Sequence, residues 1–305
     1  MSNVLLGTAI GDALGVAFET KLPNYQPLID WDGKTFIGRG LDDLPPGHYS
    51  DDTMMSLVVA MSLIDSQGFN PSDLAQRYVE LFTSNTIRGY GKTTLNAINN
   101  LIAGKHWSES GIAGSYGNGT AMRAAPFGVF FRHDIPALIN ACKIDSAMTH
   151  ASEEAEAGSL AVALAAAHAV NGDTSDLLPK LLEVLPDSKV KIAIYSLDSL
   201  VPTPHITPDQ ALRLIGTKCD VRQTVPAAIY CYLRFNNYQD AVVAAIKAGG
   251  DTDTTAAIVG ALFGAKHGLV GMDPGLIAAV ENKDRLIELD SQLYNRSNAS
   301  FLRGD

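Results

Sequence analysis

Gly249-Gly250-Asp251-Thr252-Asp253-Thr254-Thr255-Ala256-Ala257-Ile258-Val259-Gly260-Ala261-Leu262-Phe263-Gly264-Ala265 carries both the fold and the chemistry of this chain. Residues 255–265 read as a helix buried by small and apolar side chains. Ala256, Gly260, Gly264 and Gly268 recur every four residues, which gives that helix one face with almost no side chain. Glycine inside a helix costs about 1 kcal/mol relative to alanine, so three of them on one stripe predict a neighbouring helix at very close approach. The opening of the stretch is of another kind. After a Gly-Gly pair, Asp251 and Asp253 alternate with hydroxyls, so an extended lead-in directs both carboxylates to one side. Thr254 can add a hydroxyl from the first helical turn.

Two hundred positions earlier, Ser50-Asp51-Asp52-Thr53 leads into a second apolar helix over residues 54–64. A helix start accepts one capping carboxylate readily, because its free N–H groups and positive dipole end stabilise an anion. It does not need two. A capping Asp with a solvated neighbour accounts for the first cluster alone; only the two together point to a cation site. Carboxylates about 4 Å apart repel by roughly 4 kcal/mol at an effective dielectric of 20. Several of them gathered in a partly buried site must protonate or recruit cations. Oxygen-only ligands favour Mg²⁺, Mn²⁺ or Ca²⁺ over zinc. The seven histidines are dispersed, without an HExxH pattern or cysteine partners.

Helical periodicity extends outward from these two stretches. Residues 72–81, 93–103, 153–170, 209–215, 238–248 and 274–280 place apolar residues at three- and four-residue spacings. Asn70, Ser152 and Thr207 are candidate N-caps, and Pro71 and Pro208 suit the first helical position. Residues 189–197 are the best strand candidate and read equally well as helix. No strand–helix alternation supports a doubly wound sheet, and the expectation is an all-α fold. No charge run or low-complexity linker divides the 305 residues, so a single domain over 1–305 is expected.

Composition narrows the function classes. Hydrophobic residues at 46% fit a soluble globular protein. The longest uncharged apolar runs, residues 157–171 and 254–265, are too short to span a bilayer, and no membrane partner is expected. The N-terminal apolar run lacks a preceding basic segment and meets Asp12 at once, unlike a secretory leader. Cys142, Cys219 and Cys231 form no CxxC pair, and are expected as buried thiols of a cytoplasmic protein. A net charge of −10 with no basic block argues against a nucleic-acid partner.

The loops carry unusual composition. Residues 31–50 are rich in Gly, Pro and Asp and run into the first acidic cluster. Gly117-Asn118-Gly119-Thr120-Ala121-Met122-Arg123 is a glycine-rich turn ahead of a helix, a place where backbone N–H groups can approach an anion; it also reads as an ordinary turn and cap. His150 in Thr149-His150-Ala151-Ser152 precedes another helix, where a histidine is commonly structural. Arg88-Gly89-Tyr90-Gly91-Lys92-Thr93 ends like a nucleotide-binding P-loop, but Thr86 replaces the required first glycine and no strand precedes it. The nucleoside-triphosphatase reading is rejected.

In order along the chain stand Gly11-Asp12-Ala13-Leu14-Gly15 with Glu19, then Pro46-Gly47-His48-Tyr49-Ser50-Asp51-Asp52-Thr53. Gly117-Asn118-Gly119 through Arg123, His150, and Gly249 through Thr254 with Gly260-Ala261-Leu262 follow. This set resembles the ADP-ribosylglycohydrolase family, which includes the dinitrogenase-reductase-activating glycohydrolase and the vertebrate ADP-ribosylhydrolases. The resemblance covers residues 7–268. It implies an all-α fold around a central site for two Mg²⁺ (or Mn²⁺) ions. Ser50, Asp51, Asp52, Asp251, Asp253 and Thr254 match the metal ligands, and Glu19 an acidic residue contacting water or substrate. Gly117, Asn118 and Gly119 match a loop cradling the substrate diphosphate. Thr120, Met122 and His150 are further expected substrate contacts, with Tyr116 a candidate for stacking adenine. Asp12 is expected to cap or brace its own helix.

The implied reaction is hydrolysis of the bond between ADP-ribose and a modified residue, with an ADP-ribosylated protein or ADP-ribose derivative as partner. An oxocarbenium-like transition state is implied, with Asp51, Asp52 or Glu19 as base. An arginine-linked substrate is the first expectation, and serine-linked or other O-linked substrates the second. The dinitrogenase-reductase branch has an extra aspartate for the arginine substrate, whereas residues 82–108 here hold no Asp or Glu. The alternative is a catalytically inactive, crystallin-like or ADP-ribose-binding member. Mutually repelling carboxylates kept intact argue against it.

Overall fold

A computed structural model describes residues 2–39, 44–172 and 174–303. Sixteen α-helices occur among them, with only one two-stranded sheet, Ile112–Ala113 paired in parallel with His150–Ala151. The fold is all-α, as expected. One hydrophobic cluster runs through the described residues from Val4 to Leu293. No described helix is long and apolar enough to cross a membrane.

The centre of the molecule is the pairing of helices Val4–Gly15 and Thr252–His267. A Cβ placed on Gly7 would lie 2.1 Å from the Gly260 carbonyl oxygen, and one on Gly11 2.2 Å from that of Ala256. One on Gly15 would lie 2.4 Å from the carbonyl oxygen of Thr252. The stripe read in the second helix therefore meets a matching stripe in the first, and the helices run antiparallel with backbones in contact. Asn3 N–H donates to Gly264 O (2.9 Å) at one end and Thr252 Oγ1 to Gly15 O (2.8 Å) at the other. Every residue of Val4–Gly15 is buried. A helix buried on every side has no solvent-facing polar stripe, so its sequence carries little helical periodicity.

This pairing positions the site. Antiparallel packing puts the C-terminal end of the first helix, and Glu19 after the Val16–Phe18 turn, beside the start of Thr252–His267. The far end is closed by Asp290 of helix Lys283–Arg303. Its buried carboxylate accepts from Leu5 N–H (2.9 Å) and Leu6 N–H (3.1 Å), two donors that a helix start leaves without partners.

Local signals held where the side chain itself makes the bond. Asn70 caps Pro71–Thr83, Ser152 caps Glu153–Val170, and Thr207 forms a capping box with Gln210. Residues 189–197 fall inside helix Lys189–Leu200, so the best strand candidate is helical. Ser188 caps it, and its buried Val190, Ile194 and Leu197 follow helical spacing. Part of the 31–50 loop, residues 40–43, lies outside the described residues.

Candidate metal and substrate site

Asp51 and Asp52 open helix Asp51–Ser66, and the helix start does not need either of them. Asp12, fully buried on the first helix, accepts from Ser50 N–H (3.0 Å), Thr53 N–H (3.1 Å) and Thr53 Oγ1 (2.6 Å). Asp12 thus braces this second helix rather than its own, a correction to the sequence expectation. Its pKa is raised by burial, against the lowering effect of those hydrogen bonds. Ser50 adds its own cap through Asp52 N–H (3.4 Å) and donates to Asp52 Oδ2 (3.1 Å). With capping supplied elsewhere, Asp51 and Asp52 are left to face the cavity.

The second cluster depends on Gly249 and Gly250, which hold φ values of +70° and +81°. A side chain is disfavoured there by conformation, and one on Gly250 would also meet the Thr217 carbonyl oxygen at 2.2 Å. The turn is fixed by Asp251 N–H to Thr217 O (2.7 Å) and Thr20 N–H to Gly250 O (2.6 Å). Asp251 sits at the N-cap position of Thr252–His267 but makes no side-chain capping bond. Its carboxylate is likewise turned to the cavity.

Glu19, Asp51, Asp52, Asp251, Asp253 and Thr254 all line one cavity of about 330 Å³. Glu19, Asp251 and Asp253 each bring one carboxylate oxygen to within 4.8 Å of the others. Burial pushes the pKa of Asp51, Asp52 and Asp253 well above the usual carboxylate range, and neighbouring carboxylates push further. Asp52 Oδ1 is buried without a hydrogen-bond partner. A buried carboxyl oxygen with no hydrogen-bond partner, inside a set of oxygen ligands, fits a hard divalent cation, which would favour the ionised form that burial opposes. Arg39, within the 31–50 loop, forms an ion pair with Glu19 at the edge of this cluster.

The glycine loop forms another part of the same lining. A Cβ on Gly117 would lie 3.0 Å from His150 Nε2, and one on Gly119 2.7 Å from His150 Cε1, so the bare loop lets the imidazole pack against it. His150 is 2% exposed, and burial with the nearby Arg123 charge lowers its pKa to about 3, so the ring is neutral. Asn118 ties the loop to the second acidic cluster, donating to Thr224 Oγ1 (3.0 Å) and to the Asp251 carboxylate. Met122 lines the cavity.

Several expected contacts lie elsewhere. Thr120 is fully buried and its hydroxyl donates to Ala155 O (3.0 Å), away from the cavity. Ser50, also fully buried, stays with the acidic cluster, its hydroxyl donating to Asp52 Oδ2. Residues 118–123 are turns, and the helix after them, Ala125–Phe130, has only six residues. Tyr116 is half exposed, its ring covered by the Arg222 guanidinium at 4.3 Å. Cys142 and Cys231 are buried, but Cys219 is exposed on the cavity wall, against the expectation of three buried thiols.

Gly89, Gly91, Lys92, Thr93 and Thr94 also line the cavity. All but Thr94 belong to the Arg88–Thr93 stretch whose end is like that of a P-loop. Its preceding element is helix Pro71–Thr83, so the dismissal stands as regards a P-loop. Its glycine-rich turn before helix Lys92–Ile102 was nevertheless the available sign of a site.

Comparison with known proteins accords with this arrangement. The sequence pattern of the ADP-ribosylglycohydrolase family matches residues 2–301. ADP-ribosylhydrolase ARH3 of Xenopus tropicalis is 28% identical, covering 87% of this chain and 86% of that protein. ADP-ribosylarginine hydrolase Tri1 of Pseudomonas putida is 28% identical, covering 97% of this chain and 78% of that protein. A solved structure described as an ADP-ribosylglycohydrolase-related protein complex superposes with a TM-score of 0.75 at 25% identity, covering 97% of this chain and 96% of that one. The chain belongs to the ADP-ribosylglycohydrolase family.

Proposed function

We propose that this protein is a metal-dependent hydrolase that cleaves the glycosidic bond between ADP-ribose and a modified residue, reversing ADP-ribosylation. The observation that carries the reading is a single cavity lined by five carboxylates together with the Gly117–Gly119 loop and His150. Asp51, Asp52, Asp251, Asp253 and Thr254, with Ser50 hydrogen-bonded to Asp52, would hold two Mg²⁺ or Mn²⁺ ions. Bound there, the cations supply positive charge that offsets the carboxylates and orients the ribose hydroxyls. Asp51, Asp52 or Glu19 takes the proton from the attacking water as the oxocarbenium-like transition state develops. The Gly117–Gly119 loop, with His150 packed against it, would receive the diphosphate, and neutral His150 donates a hydrogen bond there. Anchoring the remote diphosphate holds the reacting carbon against the carboxylates.

The Tri1 relative supports an arginine linkage. The absence of Asp and Glu from residues 82–108, and the Arg39 guanidinium beside Glu19, support a serine or other O-linked substrate, because a cationic leaving group gains nothing from a second cation. The buried, mutually repelling carboxylates weigh against an inactive, crystallin-like role. A single domain over 1–305 and a cytoplasmic location belong to the same proposal, supported by one continuous core and three free thiols.

The test is incubation with arginine- and serine-ADP-ribosylated peptides, in Mg²⁺ or in EDTA, with assay of free ADP-ribose. Release in Mg²⁺ and none in EDTA is expected. No release from either peptide with metal present would overturn the enzyme reading, and release from one alone assigns the linkage.

A further inference from the structure

Arg123 is the largest fully buried side chain of the described residues, and it lies outside the cavity wall. Asp145, equally buried, receives its Nε at 3.0 Å and is held in turn by the Tyr78 hydroxyl at 2.8 Å. An ion pair in the interior is weak evidence of stabilisation, since desolvation opposes it. Its remaining donors indicate another use. Nη1 donates to Gly119 O at 2.9 Å, which fixes the glycine loop from behind. Nη2 donates to Thr149 Oγ1 at 2.8 Å, and Thr149 Oγ1 lies 2.9 Å from His150 Nδ1.

The directions of these bonds follow from donor inventory. Guanidinium nitrogens only donate, so the Thr149 hydroxyl accepts from Arg123. Its single hydrogen is then left for His150 Nδ1, since among the described residues the hydroxyl has no other side-chain or carbonyl acceptor. An imidazole that accepts at Nδ1 and is neutral must carry its proton on Nε2. That nitrogen faces Gly117 and Gly119.

We infer that Arg123 is a positioning residue: through Thr149 it locks His150 in the Nε2–H tautomer, and through Gly119 it holds the loop, so that the cavity presents an N–H donor to a diphosphate oxygen. One buried side chain thereby sets both the shape and the hydrogen-bond polarity of that wall. This rests on the substrate reading above only for the identity of the acceptor.

The experiment uses the full chain with Mg²⁺, and two variants chosen to keep the Arg123–Asp145 pair. Long-range ¹H–¹⁵N spectra of the histidine rings report the tautomer without ligand. Wild-type His150 should be protonated at Nε2 alone. Thr149→Val, which keeps shape but removes the hydroxyl, should mix the tautomers and weaken ADP-ribose binding roughly tenfold. KM should rise with kcat little changed, and Thr149→Ser should restore both tautomer and affinity. A proton on Nδ1 in the wild type, or Thr149→Val with unchanged tautomer and affinity, would overturn the inference. The expected tautomers together with no ADP-ribose binding to wild type would overturn the substrate reading instead.

Discussion

Asp12 and Asp52 are both buried carboxylates at the start of the same helix, and their hydrogen bonds separate their roles. Asp12 accepts from Ser50 and Thr53, while Asp52 Oδ1 accepts from nothing. Asp12→Asn should therefore act on the fold, lowering stability by about 1–3 kcal/mol because one amide face cannot accept the same donors; urea unfolding in EDTA measures it. Asp253→Asn should act on the site. Its fold should persist, while the Mg²⁺-induced rise in Tm and the release of ADP-ribose are both lost. Retention of both in that variant would remove Asp253 from the ligand set. The acidic residues were legible in the sequence because so many carboxylates exceed what two helix starts can use. Arg39, Lys92 and Cys219 were not, since a lone polar residue in a loop carries no sign of what it faces.

Two helices decide the arrangement at the next scale. The small-residue stripe of Thr252–His267 announced a close neighbour, but only the structure names it as Val4–Gly15. Gly7→Ala and Gly260→Ala each place a methyl against the opposing backbone, so each should destabilise by about 3 kcal/mol. Gly68, whose Cβ would meet nothing within 4 Å, is the control and should change little. Chemical denaturation midpoints compare the three.

Asp290 adds a pH dependence at the other end of the pair. Burial raises its pKa to about 7. A raised folded-state pKa means the folded protein holds the proton more tightly than the unfolded chain. The resulting stability is full below the ordinary carboxylate range and is lost as pH rises through about 7. The unfolding free energy from urea titrations in saturating Mg²⁺ should fall between about pH 5 and about pH 8, by an amount on the order of 2–4 kcal/mol. Asp290→Asn should flatten that fall, and an unchanged slope would show that another group titrates.

Across the whole molecule, the cavity joins residues from segments that are remote in sequence: Glu19, Asp51 and Asp52, Gly89 with Gly91 to Thr94, Gly117 to Gly119 with Met122, His150, Cys219, and Asp251 with Asp253 and Thr254. A ligand that binds only where these segments meet stabilises only the folded chain. Mg²⁺ at 100 times its Kd should add about 2.7 kcal/mol, seen as a higher Tm that EDTA reverses.

The sequence by itself determined the helical class, the caps made by Asn70, Ser152 and Thr207, and the acidic clusters, because each is written in neighbouring residues through periodicity, side-chain reach or local charge. It also determined that a helix must approach the Gly260 stripe. Only the tertiary structure decided which helix that is, that Asp12 braces the neighbouring helix, that Thr120 turns away from the cavity, and that the Gly89–Thr94 segment joins it. Those outcomes depend on which buried surfaces meet, and side-chain volume and hydrogen-bond satisfaction between distant segments settle that, rather than any residue's own neighbourhood.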